Sequence, residues 1–168
     1  MRLRPPTEGD LDNIFRLGKN PRVMRYITPG KTQSREEARK DLQKRMATAI
    51  HQLGYWIAEE KDTGDFIGWM ALKSLDHSKQ IELGYRFLEE YWGKGLATEG
   101  GFKILEYAFR TLKLDRVVAI ADEENRASTR VMEKLGMTFA GRGRYYDTDC
   151  VSYEIRREEW AKSNGEEE

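Results

Sequence analysis

The chain has 168 residues, enough for one domain with a real core, and its 29 Lys plus Arg balance its 29 Asp plus Glu. That neutrality provides no net basic field for nucleic acid or an anionic membrane, and no apolar run reaches membrane-spanning length. One cysteine, Cys150, and two separated histidines, His51 and His77, exclude an internal disulfide and argue against any cysteine- or histidine-based metal site. The opening MRLRPPTEGD has no hydrophobic signal segment, so the expected location is the cytoplasm.

In chain order, RLRPP reads as a short strand closed by prolines. Thr7 then caps a helix, with Asp10 three residues on and an apolar stripe of Leu11, Ile14, Phe15 and Leu17. NPRVMRYITPG reads as a loop or broken helix. Ser34 and Glu37 form a capping box for a long charged helix running through ATAIHQ. GYWIAEE and DFIGWMALKSL flank KDTG as a hairpin. KQIELGYRFL alternates Ile81, Leu83, Tyr85 and Phe87 against Glu82, Gly84 and Arg86, a strand with two distinct faces. After YWGKGL comes a helix with Ile104, Leu105, Ala108, Phe109 and Leu112 at helical spacing. DRVVAIA is a buried-type strand, and a helix runs from near Asn125 to Gly136. MTFAGRGRY and DCVSYEIRREEW read as two closing strands. The pattern predicts one α/β domain over residues 1–160 and an acidic, flexible tail over 161–168. Its central sheet is expected to be largely antiparallel, with about seven strands and about four helices.

The stretch YWGKGLATEGG carries the functional signal. A strand that runs through a glycine turn into a helix presents free backbone N–H groups at the helix start, where the helix dipole favours phosphate oxygens. Gly93 and Gly95 let the backbone approach a pyrophosphate, and Lys94 can add charge. The spelling is neither a P-loop nor the three-glycine dinucleotide motif. On glycine spacing alone, a plain tight turn into a helix is an equal reading.

From Ile81 to Gly141, two segments, IELGYRFLEEYWGKGLATEG and NRASTRVMEKLGM, resemble the GNAT superfamily of acyl-CoA-dependent N-acetyltransferases. The likeness is greatest to the RimJ/RimL-type branch, named for acetylation of ribosomal-protein N-termini. The resemblance implies a GNAT fold, acetyl-CoA as cosubstrate without a metal, and an amine acceptor that is a protein N-terminus or a small molecule. A homodimer is compatible with it. It also implies that the amides of Trp92, Gly93, Lys94, Gly95, Leu96, Ala97 and Thr98 hold the pyrophosphate. Trp92 stands where other members carry Gln or Arg, which leaves the phosphate contacts mainly to the amides. The resemblance places pantetheine against backbone groups of Phe87 and Leu88, one N–H of which would stabilise the thioester oxygen.

Glu82, on the strand that carries a base in many members, is the candidate general base. A solvated or ion-paired strand glutamate is an equal reading. A tyrosine seven residues after the helix-opening Asn often protonates the thiolate in this superfamily; here that position is Met132. Ser128, a serine position of this branch, is the substitute candidate to hydrogen-bond the sulfur, and Asn125 is expected both to cap its helix and to contact the cosubstrate. Cys150 reads as a packed strand residue and His77 as a solvated turn residue. Tyr145, Tyr146 and Trp56 either line the acceptor channel or fill sheet surfaces, and Arg25 and Tyr26 match the branch's acceptor lining loosely. The missing tyrosine leaves open a non-catalytic acyl-CoA sensor. A nucleotide-binding domain of another fold is disfavoured by the antiparallel order.

Overall fold

The computed structural model describes residues 1–48 and 52–165. Residues 49–51, over which the long charged helix was expected to continue, and Glu166–Glu168 therefore lie outside the described residues. Among the described residues, seven strands form one sheet in the order β1-β2-β3-β4-β5-β7-β6. They are β1 (Arg2–Arg4), β2 (Gly54–Glu59), β3 (Phe66–Ser74), β4 (Ile81–Phe87), β5 (Arg116–Asp122), β6 (Thr138–Tyr145) and β7 (Thr148–Arg156). β1 with β2, β5 with β7 and β6 with β7 pair antiparallel, while β4 pairs parallel to β5 with Glu82 opposite Val118. The mixed, largely antiparallel sheet is as the sequence predicts. Among the described residues no helix is long and apolar enough to cross a membrane.

The helices are α1 (Leu11–Gly18), α2 (Pro21–Met24), α3 (Arg35–Ala47), α4 (Leu96–Glu106), α5 (Arg126–Lys134) and α6 (Arg157–Ser163). Among the described residues, six stand where about four were expected. Asn20 caps the short α2 by accepting from the Arg22 amide at 2.9 Å. The closing strand stops at Arg156, whose amide donates to Glu159 at 2.8 Å, and the chain turns into α6. Ala161–Ser163 are thus the last turn of a helix rather than part of a tail. Ser34 and Glu37 form the expected capping box, with bonds of 3.2 and 2.7 Å.

The chain divides into two compact units. The first, residues 1–71 and 85–97, packs Ile14 and Leu17 of α1, Ala38 and Leu42 of α3, and Ile57 and Trp69 of the sheet into one core. A charged network closes its edge. Arg4 donates to Asp10 at 2.6 and 2.9 Å and to Glu59 at 2.7 Å, and the Thr7 amide adds a bond to Asp10 at 2.8 Å. Burial alone would push the Asp10 carboxyl up, but Arg4 and the Thr7 amide outweigh it and hold its pKa below the usual carboxylate range. A depressed folded pKa stabilises the fold above the unfolded-state value, and that contribution is lost as pH falls through the folded value. Asp10→Asn is expected to lower stability by about 1–3 kcal/mol at neutral pH, and chemical denaturation across pH should show the difference from wild type closing in acid.

The second unit, residues 72–84 and 98–168, is centred on Ile104, Leu105, Phe109, Val117 and Ile155, all buried. Phe109 lies 5.6 Å from the ring of Trp160, which anchors α6. Past Glu106, α4 widens into a π-helical turn, Tyr107–Thr111.

Candidate active site

The glycine turn has the backbone its sequence demands. Gly93 and Gly95 adopt φ of +71° and +75°, and a Cβ at either position would meet nothing within 4 Å. Neither glycine is there to avoid a protein clash; each serves the left-handed conformation and keeps the space in front of the turn clear. The turn leads straight into α4 at Leu96, whose first amides have no intrahelical acceptors. The Trp92 indole donates to the Phe87 carbonyl at 3.0 Å, and Lys94 Nζ lies 5.2 Å over the Tyr91 ring. Lys94 is therefore drawn back along the chain, leaving the donors of the turn as peptide N–H groups.

Phe87 and Leu88 differ in what they offer. The Leu88 N–H donates to Ile67 at 2.8 Å, and its carbonyl accepts from Tyr91 at 3.0 Å. This corrects the expectation that either N–H could face a ligand, because the one at Leu88 is spent on the neighbouring strand. Successive N–H groups in a strand point to opposite edges, so the N–H of Phe87 points away from β3.

At the start of α5, Asn125 Oδ1 accepts from the Ser128 amide at 3.3 Å, the cap that Asn-x-x-Ser spelling predicts. Ser128 is half-buried in the first turn, and Met132 is buried one turn on, where no proton can be donated.

Glu82 is a buried titratable group of the second unit. It is 6% exposed, so the polar face of β4 is not solvated at this position. Its Oε1 pairs with Lys73 and accepts from the Tyr146 hydroxyl at 3.1 Å. That hydroxyl accepts in turn from Lys73 at 2.5 Å and from the Asp76 amide at 2.9 Å, while Asp76 accepts from the Tyr146 amide at 2.7 Å. Oε2 is buried and has no hydrogen-bond partner. Burial raises the Glu82 pKa more than Lys73 and Tyr146 lower it, so the carboxyl titrates above its ordinary range. Burial also raises the Tyr146 pKa, keeping it a neutral phenol. A carboxylate held by one oxygen and bare at the other is arranged to take a proton.

Lys73, Asp76 and Tyr146 complete this cluster, and sequence patterning gave no role to the first two. Tyr146 sits at the β6–β7 turn with φ of +49°, followed by Asp147 at +60°, which aims its ring back at residues 64 to 73 positions earlier. Cys150 is buried on β7 and burial raises its pKa, so it is no thiolate nucleophile. His77 is an exposed turn residue. Trp56 and Tyr145 are half-buried in β2 and β6. Arg25 stacks on Tyr26 at 5.1 Å.

A family model for an acetyltransferase (GNAT) domain matches residues 1–138. An uncharacterised N-acetyltransferase of Bacillus subtilis, YoaA, is 31% identical over 166 residues, covering 93% of this chain and 94% of its own. The crystal structure of a GNAT-family acetyltransferase from Bacillus anthracis superposes with a TM-score of 0.80 at 26% identity, over 93% of this chain and 94% of that one. A spermidine N-acetyltransferase from Vibrio cholerae, solved with CoA and spermine, shares the fold with a TM-score of 0.77 at 22% identity, over 95% and 96% of the two chains.

Proposed function

The chain belongs to the GNAT family of acetyl-CoA-dependent acyltransferases, and on that premise we propose that residues 1–160 move an acetyl group to a primary amine by direct attack in a ternary complex. The observation that carries the reading is the pair of left-handed glycines, with clear space before them, at the start of α4. Acetyl-CoA is the donor substrate. The amides of residues 92–98 hold its diphosphate, and the Phe87 N–H stabilises charge on the thioester oxygen. Glu82, through Oε2, removes a proton from the acceptor ammonium directly or through one water. The neutral nitrogen attacks the carbonyl carbon, the C–S bond breaks, the nitrogen sheds its second proton to solvent, and the sulfur leaves as a thiolate that takes a proton from solvent. Ser128 hydrogen-bonds that sulfur, and Asn125 orders the turn that carries it.

The acceptor is either a protein N-terminus, as in the RimJ/RimL-type branch, or a small amine. Relatives such as the spermidine enzyme act on the latter class. Mass spectrometry of lysate peptides and metabolites after incubation with isotopically labelled acetyl-CoA is expected to reveal labelled amides; no label in either fraction contradicts the reading. Ser128→Ala is expected to reduce kcat about 10–100-fold with acetyl-CoA affinity nearly unchanged, since it loses one hydrogen bond to a developing charge. Steady-state kinetics with direct binding checks this, and undiminished turnover removes Ser128 from the mechanism.

A further inference from the structure

We propose that Arg45 and Arg86, in the first unit, form a receptor for one carboxylate of a small organic molecule. Arg45, in the last turn of α3, is 6% exposed. Its Nη2 donates to Asp41 at 2.9 Å, but Nε and Nη1 are shielded from solvent and have no acceptor. Its guanidinium lies 4.5 Å from the Tyr55 ring centre and 4.1 Å from that of Trp69. Arg86, on β4, lies 5.1 Å from the same Trp69 ring, and its Nε is also shielded without an acceptor.

Two guanidiniums thus share one indole, with one carboxylate on Arg45, leaving a surplus of one positive charge and three shielded donor nitrogens without an acceptor. Buried donors are almost always satisfied, so this set points to a missing acceptor. The aromatic faces offset part of the cost of two adjacent cations, and they supply no hydrogen-bond acceptor. Burial, reinforced by the charge of Arg45, pulls the Arg86 pKa down to about 10, the strain an added anion would relieve. Guanidinium forks match planar carboxylates, and a single negative charge balances the surplus where a phosphate dianion would overshoot it. Arg86 is the less buried residue of the two, so the proposed entry is from its side, although its guanidinium itself is enclosed.

The carboxylate belongs either to the amine acceptor or to a separate effector; only the first assignment rests on the acetyltransfer reading. Phenylacetate is the probe, because it carries a single planar carboxylate, and phenylacetamide is the neutral control. Calorimetry on the full chain without acetyl-CoA is expected to give phenylacetate a Kd of about 1 mM or tighter and no binding of the amide. Arg86→Met should weaken phenylacetate about tenfold or more and raise Tm, as an apolar side chain replaces an unpaired buried cation. In wild type, the Nε–H resonances of both arginines should shift on titration, a readout that needs no variant. Equal binding of the amide, undiminished binding by Arg86→Met, or unmoved Nε–H resonances would overturn the proposal. The two sources then separate kinetically. Phenylacetate competes with the amine substrate if the acceptor carries the carboxylate, and it changes the rate without such competition if an effector does.

Discussion

Glu82→Gln is expected to lower kcat by about 10²–10⁴-fold while leaving acetyl-CoA affinity unchanged. Glutamine keeps the shape of the side chain and its bond to Tyr146, but it cannot accept a proton. The direction of the pKa shift makes the variant informative. A raised folded-state pKa means that the neutral carboxyl suits this pocket better than the carboxylate, so a neutral isostere is compatible with the fold. Wild-type kcat/KM should rise with pH through the elevated Glu82 pKa, and that limb should vanish from the residual activity of the variant. A purely structural Lys73–Glu82 pair predicts the reverse: a loss of Tm with kcat preserved in the folded fraction. Rate profiles taken beside melting curves separate the two outcomes.

The second large effect belongs to the glycine turn. A variant with Gly93→Ala and Gly95→Ala is expected to weaken acetyl-CoA binding about 10²–10³-fold, the loss of two charge-assisted bonds to phosphate oxygens. Each methyl enters space now empty of protein, so no core contact is disturbed. The left-handed conformation costs alanine about 1–2 kcal/mol at each position. Gly64 controls for that cost, because it has φ of +77° in the β2–β3 hairpin and equally open surroundings. Gly64→Ala should show the stability loss alone. If it weakens acetyl-CoA to the same degree, the turn is no more than a turn.

The features legible in the sequence are those written within a few residues. The glycine turn, the Ser34–Glu37 box and the Asn125 cap each depend on neighbours three or four positions apart, and each has the expected geometry. The places of the strands along the chain followed from alternation and turn residues. The end of the chain was misread. Four consecutive charges in RREEW end the alternation of the strand, but the cap of α6 is spelled with Arg156 rather than Ser or Thr, so the usual signal for a helix start was missing. The surroundings of Glu82 were hidden for a different reason. Lys73 and Tyr146 reach it across 9 and 64 positions, through strand pairing and a hairpin whose tip takes two residues with positive φ. Whether a strand glutamate faces water or a half-buried lysine is decided by those long-range partners. The same holds for Arg45 and Arg86, an apparently ordinary helix charge and strand charge until both come to rest on Trp69.

The most direct measurement is an amide-resolved NMR titration comparing acetyl-CoA with acetyl-pantetheine, which has the thioester arm and no diphosphate. Acetyl-CoA should move the N–H signals of residues 93–98 strongly, and acetyl-pantetheine should leave them in place while perturbing Phe87. Signals in that segment that stay fixed while saturating acetyl-CoA moves others would place the diphosphate elsewhere and contradict the account at its root.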